Sequence, residues 1–186
     1  MIEVVFKSKG STLKAQVPER WEEITVKQFM ALENLTNPLE IMAEVMEVDL
    51  SYIQNTRTNL APAMNRIINI FNNKPPDLES RKAEGFGLQG QLVKLPRNIN
   101  KIIFGSLIQI NELLEDGVNK NLVKIMGIAL QAVIDGEYIE SKQAYYERLV
   151  ERLPIIEVWP ELFFFANKLK KHKRYGMSAS IILGLS

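Results

Sequence analysis

The sequence predicts a mainly α-helical α+β fold with a small antiparallel sheet. Three observations lead there. Two short β-prone runs open the chain around a glycine-containing loop; later segments repeat apolar residues at helical spacing; and cap residues or prolines stand where those segments begin.

Ile2–Phe6 and Thr12–Val17 are the two β-prone runs, and Lys7–Ser11 between them reads as a hairpin loop. Pro18 turns the chain, and Trp21 supplies an aromatic plug. Thr25 and Gln28 then fit a capping box, in which a hydroxyl and an amide each satisfy a backbone group left over at a helix start. The helix that follows carries Val26, Phe29, Met30, Leu32 and Leu35 on one broad apolar face. A helix this short needs a partner surface, because its first turn is costly to form alone.

Asn37-Pro38 restarts the chain as a cap with proline at the first helical position, leading into Leu39–Glu47. Asp49 or Ser51 caps a short helix reaching about Gln54. Ala61–Asn72 is a further helix, with Met64, Ile67, Ile68 and Phe71 at its spacing. The pattern then breaks from Asn72 to Gly90, where polar residues, prolines and glycines predict a flexible loop. Gln91–Leu95 reads as a strand ending at Pro96. Ile99–Leu114, Asn121–Ile134 and Tyr138–Leu153 read as helices, Pro154 ends the last of these, and Pro160 begins a final helix from Glu161 into a basic cluster.

An internal correspondence runs through this list at one constant offset. Val17-Pro18 falls on Leu95-Pro96, Trp21 on Ile99 and Ile24 on Ile102, and Val26, Phe29, Met30, Leu32 and Leu35 fall on Phe104, Leu107, Ile108, Ile110 and Leu113. After an insertion, Ile41-Met42-Ala43 matches Ile125-Met126-Gly127, and Tyr52-Ile53 matches Tyr138-Ile139. Either the chain holds two duplicated strand-proline-helix-helix units, or two amphipathic helices approached through proline align by chance. The expected organisation is one domain over 1–186, with pseudo-repeats 1–73 and 91–175 joined by a loop at 74–90 and a tail at 176–186.

At 186 residues and 46% hydrophobic content the chain can bury a core. It has no cysteine, which removes disulfides, thiol nucleophiles and zinc-thiolate sites. Met1–Phe6 carries Glu3 where an export signal carries base, and no run approaches the about 18 apolar residues of a membrane helix, so a chain that is neither exported nor membrane-bound is expected. Net charge is +1, against a general polyanion binder, but the charge is segregated. Glu40, Glu44, Glu47 and Asp49 lie in a stretch without a base. Beyond Glu161 there is no acid, while Lys168, Lys170, Lys171, Lys173 and Arg174 gather there.

Catalytic chemistry finds little support. Gly85-Phe86-Gly87-Leu88-Gln89-Gly90 spells G-x-G-x-x-G, but pyrophosphate binding needs a strand before it and a helix after it, and here a polar loop precedes and a strand follows. The single histidine, His172, sits among lysines with no carboxylate nearby to orient it. No catalytic residue, cofactor or metal ligand is assigned; a carboxylate-only active site stays open on spacing alone. The basic cluster either contacts phosphates, or complements a helix C-terminus or an acidic protein partner, the last two being favoured. Phe163-Phe164-Phe165 cannot all face one core, so Phe164 is a candidate contact, as are Ile181, Ile182 and Leu183 in the apolar tail.

The block from Val17 to Phe29, x-Val-Pro-x-x-Trp-x-Glu-Ile-Thr-Val-x-Gln-Phe, resembles an opening found in small virion and tail-assembly proteins of tailed bacteriophages, including crAss-like and other Bacteroidetes phages. The resemblance implies a non-catalytic subunit of the neck or tail, or a tail-assembly factor, resident in the virion and assembled in the host cytoplasm. Copies of itself in a ring and other virion proteins are the partners it implies. With it, Glu40, Glu44, Glu47, Lys168, Lys170, Lys171, Lys173, Arg174, Phe164, Ile181, Ile182 and Leu183 become the candidate partner-binding residues. A nucleic-acid-binding accessory protein using the basic helix is the alternative.

Overall fold

The structure, a computed structural model, describes residues 1–8, 11–56, 58–72, 77–78, 81–96 and 104–174. Helices dominate it, as the sequence predicts, and among the described residues the strands form two small antiparallel hairpins, one more than expected. Backbone contacts divide the chain into two compact units. The first is Met1–Leu78 with Pro154–Ile156, and the second is Glu79–Leu153 with Glu157–Ser186, described as far as Arg174.

In the first unit, β1 (Ile2–Ser8) pairs with β2 (Ser11–Val17) in a register that sets Val4 opposite Ala15 and Phe6 opposite Leu13. Alternation gives the hairpin one dry face. Phe6, Ala15 and Val17 are buried, while Glu3, Lys7, Lys14 and Gln16 stand outward. A single turn of 3₁₀ helix at Trp21–Glu23 leads to α1 (Val26–Asn34), and the capping box is present with both bonds. Gln28 N–H donates to Thr25 Oγ1 at 3.2 Å, and Thr25 N–H donates to Gln28 Oε1 at 3.0 Å. The same Gln28 amide donates from Nε2 to the Val45 carbonyl at 2.7 Å, which fixes α1 against the end of α2 (Pro38–Val45).

The cap residues read from the sequence act as caps. Asn37 accepts from the Leu39 amide at 3.0 Å, and Asp49 accepts from Ser51 at 2.8 Å to open α3 (Leu50–Asn55). Of the two caps weighed for α3, the structure takes Asp49. For α4 (Ala61–Asn72), Asn59 accepts the Ala61 amide at 3.0 Å. The buried stripe of α4 is Ala63, Ile67 and Ile70, with Met64 packed at its edge. Ile68 is 44% exposed, so the expected face is rotated by about one residue. One core gathers Phe6, Val17, Met42, Val45, Met46, Ile53 and Ile67. The chain returns to this unit at Pro154–Ile156: Ile155 N–H donates to the Ile24 carbonyl at 2.9 Å, beside a bridge between Thr25 and Pro154.

In the second unit, β3 (Phe86–Leu88) forms where the sequence reading places the end of a loop, and it pairs with β4 (Gln91–Val93), which lies within the expected strand Gln91–Leu95. Helix α5 (Phe104–Asp116) ends at Gly117, whose φ of +124° suits glycine, and α6 (Val118–Ile134) follows. Asn121, buried, donates to the Leu113 carbonyl at 3.0 Å and to Asp116 at 3.1 Å, tying the end of α5 to the start of α6. The expected helix Tyr138–Leu153 is instead a 3₁₀ turn at Glu140–Lys142 and a shorter α7 (Gln143–Glu151). Gln131, buried on α6, holds the Ile139 carbonyl just before that turn at 2.9 Å.

Helix α8 (Ile155–Arg174) begins well before Pro160, against the expectation that this proline starts it. Pro160 forgoes one backbone bond inside the helix. The buried stripe Val158, Leu162, Phe165, Ala166 and Leu169 runs through it at helical spacing and compensates. Each unit thus opens with an antiparallel hairpin and continues in helices. Of the residues aligned in the internal correspondence, Val26 and Phe104 lie in α1 and α5, and Met42 and Met126 are both buried. The correspondence loosens later, since Tyr52-Ile53 lie within α3 and Tyr138-Ile139 precede a 3₁₀ turn.

Two substitutions test this packing. Gln28→Ala strips the cap and leaves the Val45 carbonyl without its donor, so a loss of about 1–3 kcal/mol is expected in urea unfolding. At Gly127 a Cβ would sit 3.1 Å from Glu147 Cγ and 3.3 Å from its backbone nitrogen. Gly127→Leu is therefore expected to lower stability by about 1–3 kcal/mol through overpacking of α6 on α7, despite leucine's better helix propensity.

Candidate functional site

The acidic candidates sit on α2 and just past its end. Glu40, Glu44 and Glu47 follow one another at i, i+4 and i+7, the spacing of a single helix face. Glu40 lies in the first turn, where the helix dipole favours it, and accepts from Asn37 Nδ2 at 3.2 Å. Glu44 pairs with Lys27 of α1 at 3.3 Å, both side chains nearly half exposed. Glu47 stops the helix in the left-handed region, with φ of +53°, and Val48 N–H bonds back to the Ala43 carbonyl. Glycine is the usual residue at such a helix end, and an L side chain there is strained. Asp49 belongs to the same stretch, but its carboxylate is used by α3: the Ser51 hydroxyl and backbone N–H hold its pKa below the ordinary range.

The basic candidates lie on α8. Lys168 is exposed, and its Nζ stands 5.6 Å from the centre of the Phe164 ring, a cation–π arrangement on a half-buried aromatic. Phe165 is wholly buried while Phe163 and Phe164 are partly exposed, as the three-phenylalanine run requires. The helix continues through Lys170, Lys171, Lys173 and Arg174, which therefore occupy its last turns. Ile181, Ile182 and Leu183 lie outside the described residues.

The glycine motif has a structural use that sequence reasoning missed. Glu161, with no exposed surface, accepts the Gly85 amide at 2.6 Å and the Leu95 amide at 3.4 Å, one from each side of the β3–β4 hairpin. One turn earlier on α8, Glu157 accepts the Gly87 amide at 3.1 Å. A Cβ on Gly85 would come within 2.5 Å of the Val93 carbonyl oxygen, and Gly85 has φ of +98°; only glycine suits both conditions. Gln89 and Gly90, with φ of +50° and +78°, form the two-residue turn, the pattern of a type I′ hairpin. The amides that would cradle a phosphate are thus turned toward carboxylates. The only sequence signal for this role was the i, i+4 spacing of two acids on one helix.

Two other polar clusters are structural. Glu23 accepts from the Glu19 N–H at 2.9 Å and pairs with the Met1 amino group at 2.9 Å and with Arg20 at 3.3 Å. The Glu19 N–H is the largest of the influences that bring the Glu23 carboxyl down to about 2. On α7, burial first and then Asp135 push the Tyr146 hydroxyl up to about 12. Tyr146 in turn holds the Asp135 carboxyl below its ordinary range, with Lys142 adding to it at 3.1 Å. Among the described residues no three His, Asp or Glu side chains are grouped as a metal site, and no helix is long and apolar enough to cross a membrane. No protein-family model matches the chain, and neither a curated protein nor a solved structure matches it.

Replacing Glu161 tests the hairpin anchor. Glu161→Gln keeps one acceptor but sets an amide N–H against a backbone donor, so hydrogen exchange at Gly85 and Leu95 is expected to accelerate, with a stability loss of about 1.5–3 kcal/mol. Glu23 gives a pH signature. Its folded pKa is depressed, so its contribution is complete above the ordinary value of 4.5 and is lost as pH falls toward about 2. Thermal melting between pH 5 and 2 is expected to fall less steeply in Glu23→Gln, the difference being on the order of 1 kcal/mol for a solvent-screened cluster.

Proposed function

We propose that the chain is a non-catalytic structural subunit of a tailed-phage virion, a neck or tail component acting through contacts with copies of itself and with other virion proteins. The observation that carries this reading is the segregation of charge between two helices. The acidic stripe of α2 belongs to the first unit and the basic end of α8 to the second. Glu47 adds to it: the position favours glycine, and a third acid stands there instead, just past the end of α2. The resemblance of Val17–Phe29 to small phage virion and tail-assembly proteins supplies the biological setting.

On this reading the basic end of α8 in one copy meets the acidic face of α2 in the next. Such a contact joins two different patches head to tail, and it closes into a ring when the rotation between neighbours divides a full circle. A tail-assembly factor that leaves the finished particle would use the same surfaces. The nucleic-acid alternative rests on the five cations beyond Glu161, which suit phosphate as well as carboxylate.

Light scattering behind a sizing column, across protein concentration and salt, separates these. A discrete high-order oligomer is expected, and the double variant Lys170→Glu, Lys171→Glu is expected to shift it toward monomer at least tenfold in concentration dependence. An intact oligomer in that variant overturns the α2–α8 contact. A monomer at every concentration that binds DNA, with affinity falling steeply as salt rises, overturns the subunit reading in favour of the nucleic-acid one.

A further inference from the structure

We draw no further inference here: the strongest candidate, the outward face of the β3–β4 hairpin where Leu92 is 65% exposed opposite Gly87, is an unpartnered apolar face, and nothing in the structure shows what covers it.

Discussion

The bond from the Ile155 amide to the Ile24 carbonyl is the constraint on which the first unit depends. It fixes the segment between the β1–β2 hairpin and α1 from a point late in the chain, and Ile24, Val26 and Ile155 are all wholly buried around it. The residues from Glu79 to Leu153, which build most of the second unit, lie between the two partners. Closing so long a loop costs only a little more than closing a short one, because the entropy grows with the logarithm of length. It does slow the search, since the contact is distant in sequence. From that fixed segment the capping box sets the direction of α1, and the Gln28 amide carries the restraint on to α2. A buried glutamine with each polar atom engaged specifies one arrangement where an apolar side chain would tolerate several.

The second unit solves a different problem with the same chemistry. A hairpin with three-residue strands is marginal by itself. Here its backbone amides are held by two carboxylates projecting from a long helix, and bonds from a charged acceptor to backbone N–H groups are stronger than neutral ones. Burying Glu161 is tolerable because two amides meet its oxygens. The glycines are then consequences of geometry. Gly85 has no room for a side chain beside the Val93 carbonyl, and Gly90 completes a turn whose central residues both need positive φ.

What was legible in the sequence is what local chemistry decides. Thr25 with Gln28, Asn37 before Pro38, and Asp49 before α3 all act within a few residues of themselves, and each caps a helix as its side chain suggests. The acids of α2 were legible for the same reason, since helical spacing sets Glu40 and Glu44 on one face, with Glu47 following just past the helix end. What was hidden depends on residues far apart. Strand β3 is poor in β-formers and exists through its pairing with β4 and the carboxylates of α8. Helix α8 starts at Ile155 because its first residues are held in the first unit, a circumstance that Pro160 conceals. The α4 face rotated because Ala63 is small enough to lie against the core, leaving Ile68 outside. Glu157 and Glu161 carried no mark of their role beyond their i, i+4 spacing, because their partners are backbone groups that any sequence supplies.

The near-neutral net charge of +1 hides a segregation of acids and bases along the chain. At physiological ionic strength exposed charges are screened beyond about 8 Å, so in the contact proposed above charge would act on a neighbouring copy only at close range. Exposed ion pairs are worth little each, and Lys27 with Glu44, both nearly half exposed, is such a pair within the unit itself. In such a contact charge would set orientation and rate, and apolar burial would have to supply the affinity. Leu39 is exposed on α2, next in sequence to Glu40, and Ile68 is exposed on α4. In the proposed assembly, a neighbour held to the first unit by charge alone would be released by moderate salt, whereas one that also covered exposed apolar side chains such as Leu39 would keep its place once the charges had aligned it.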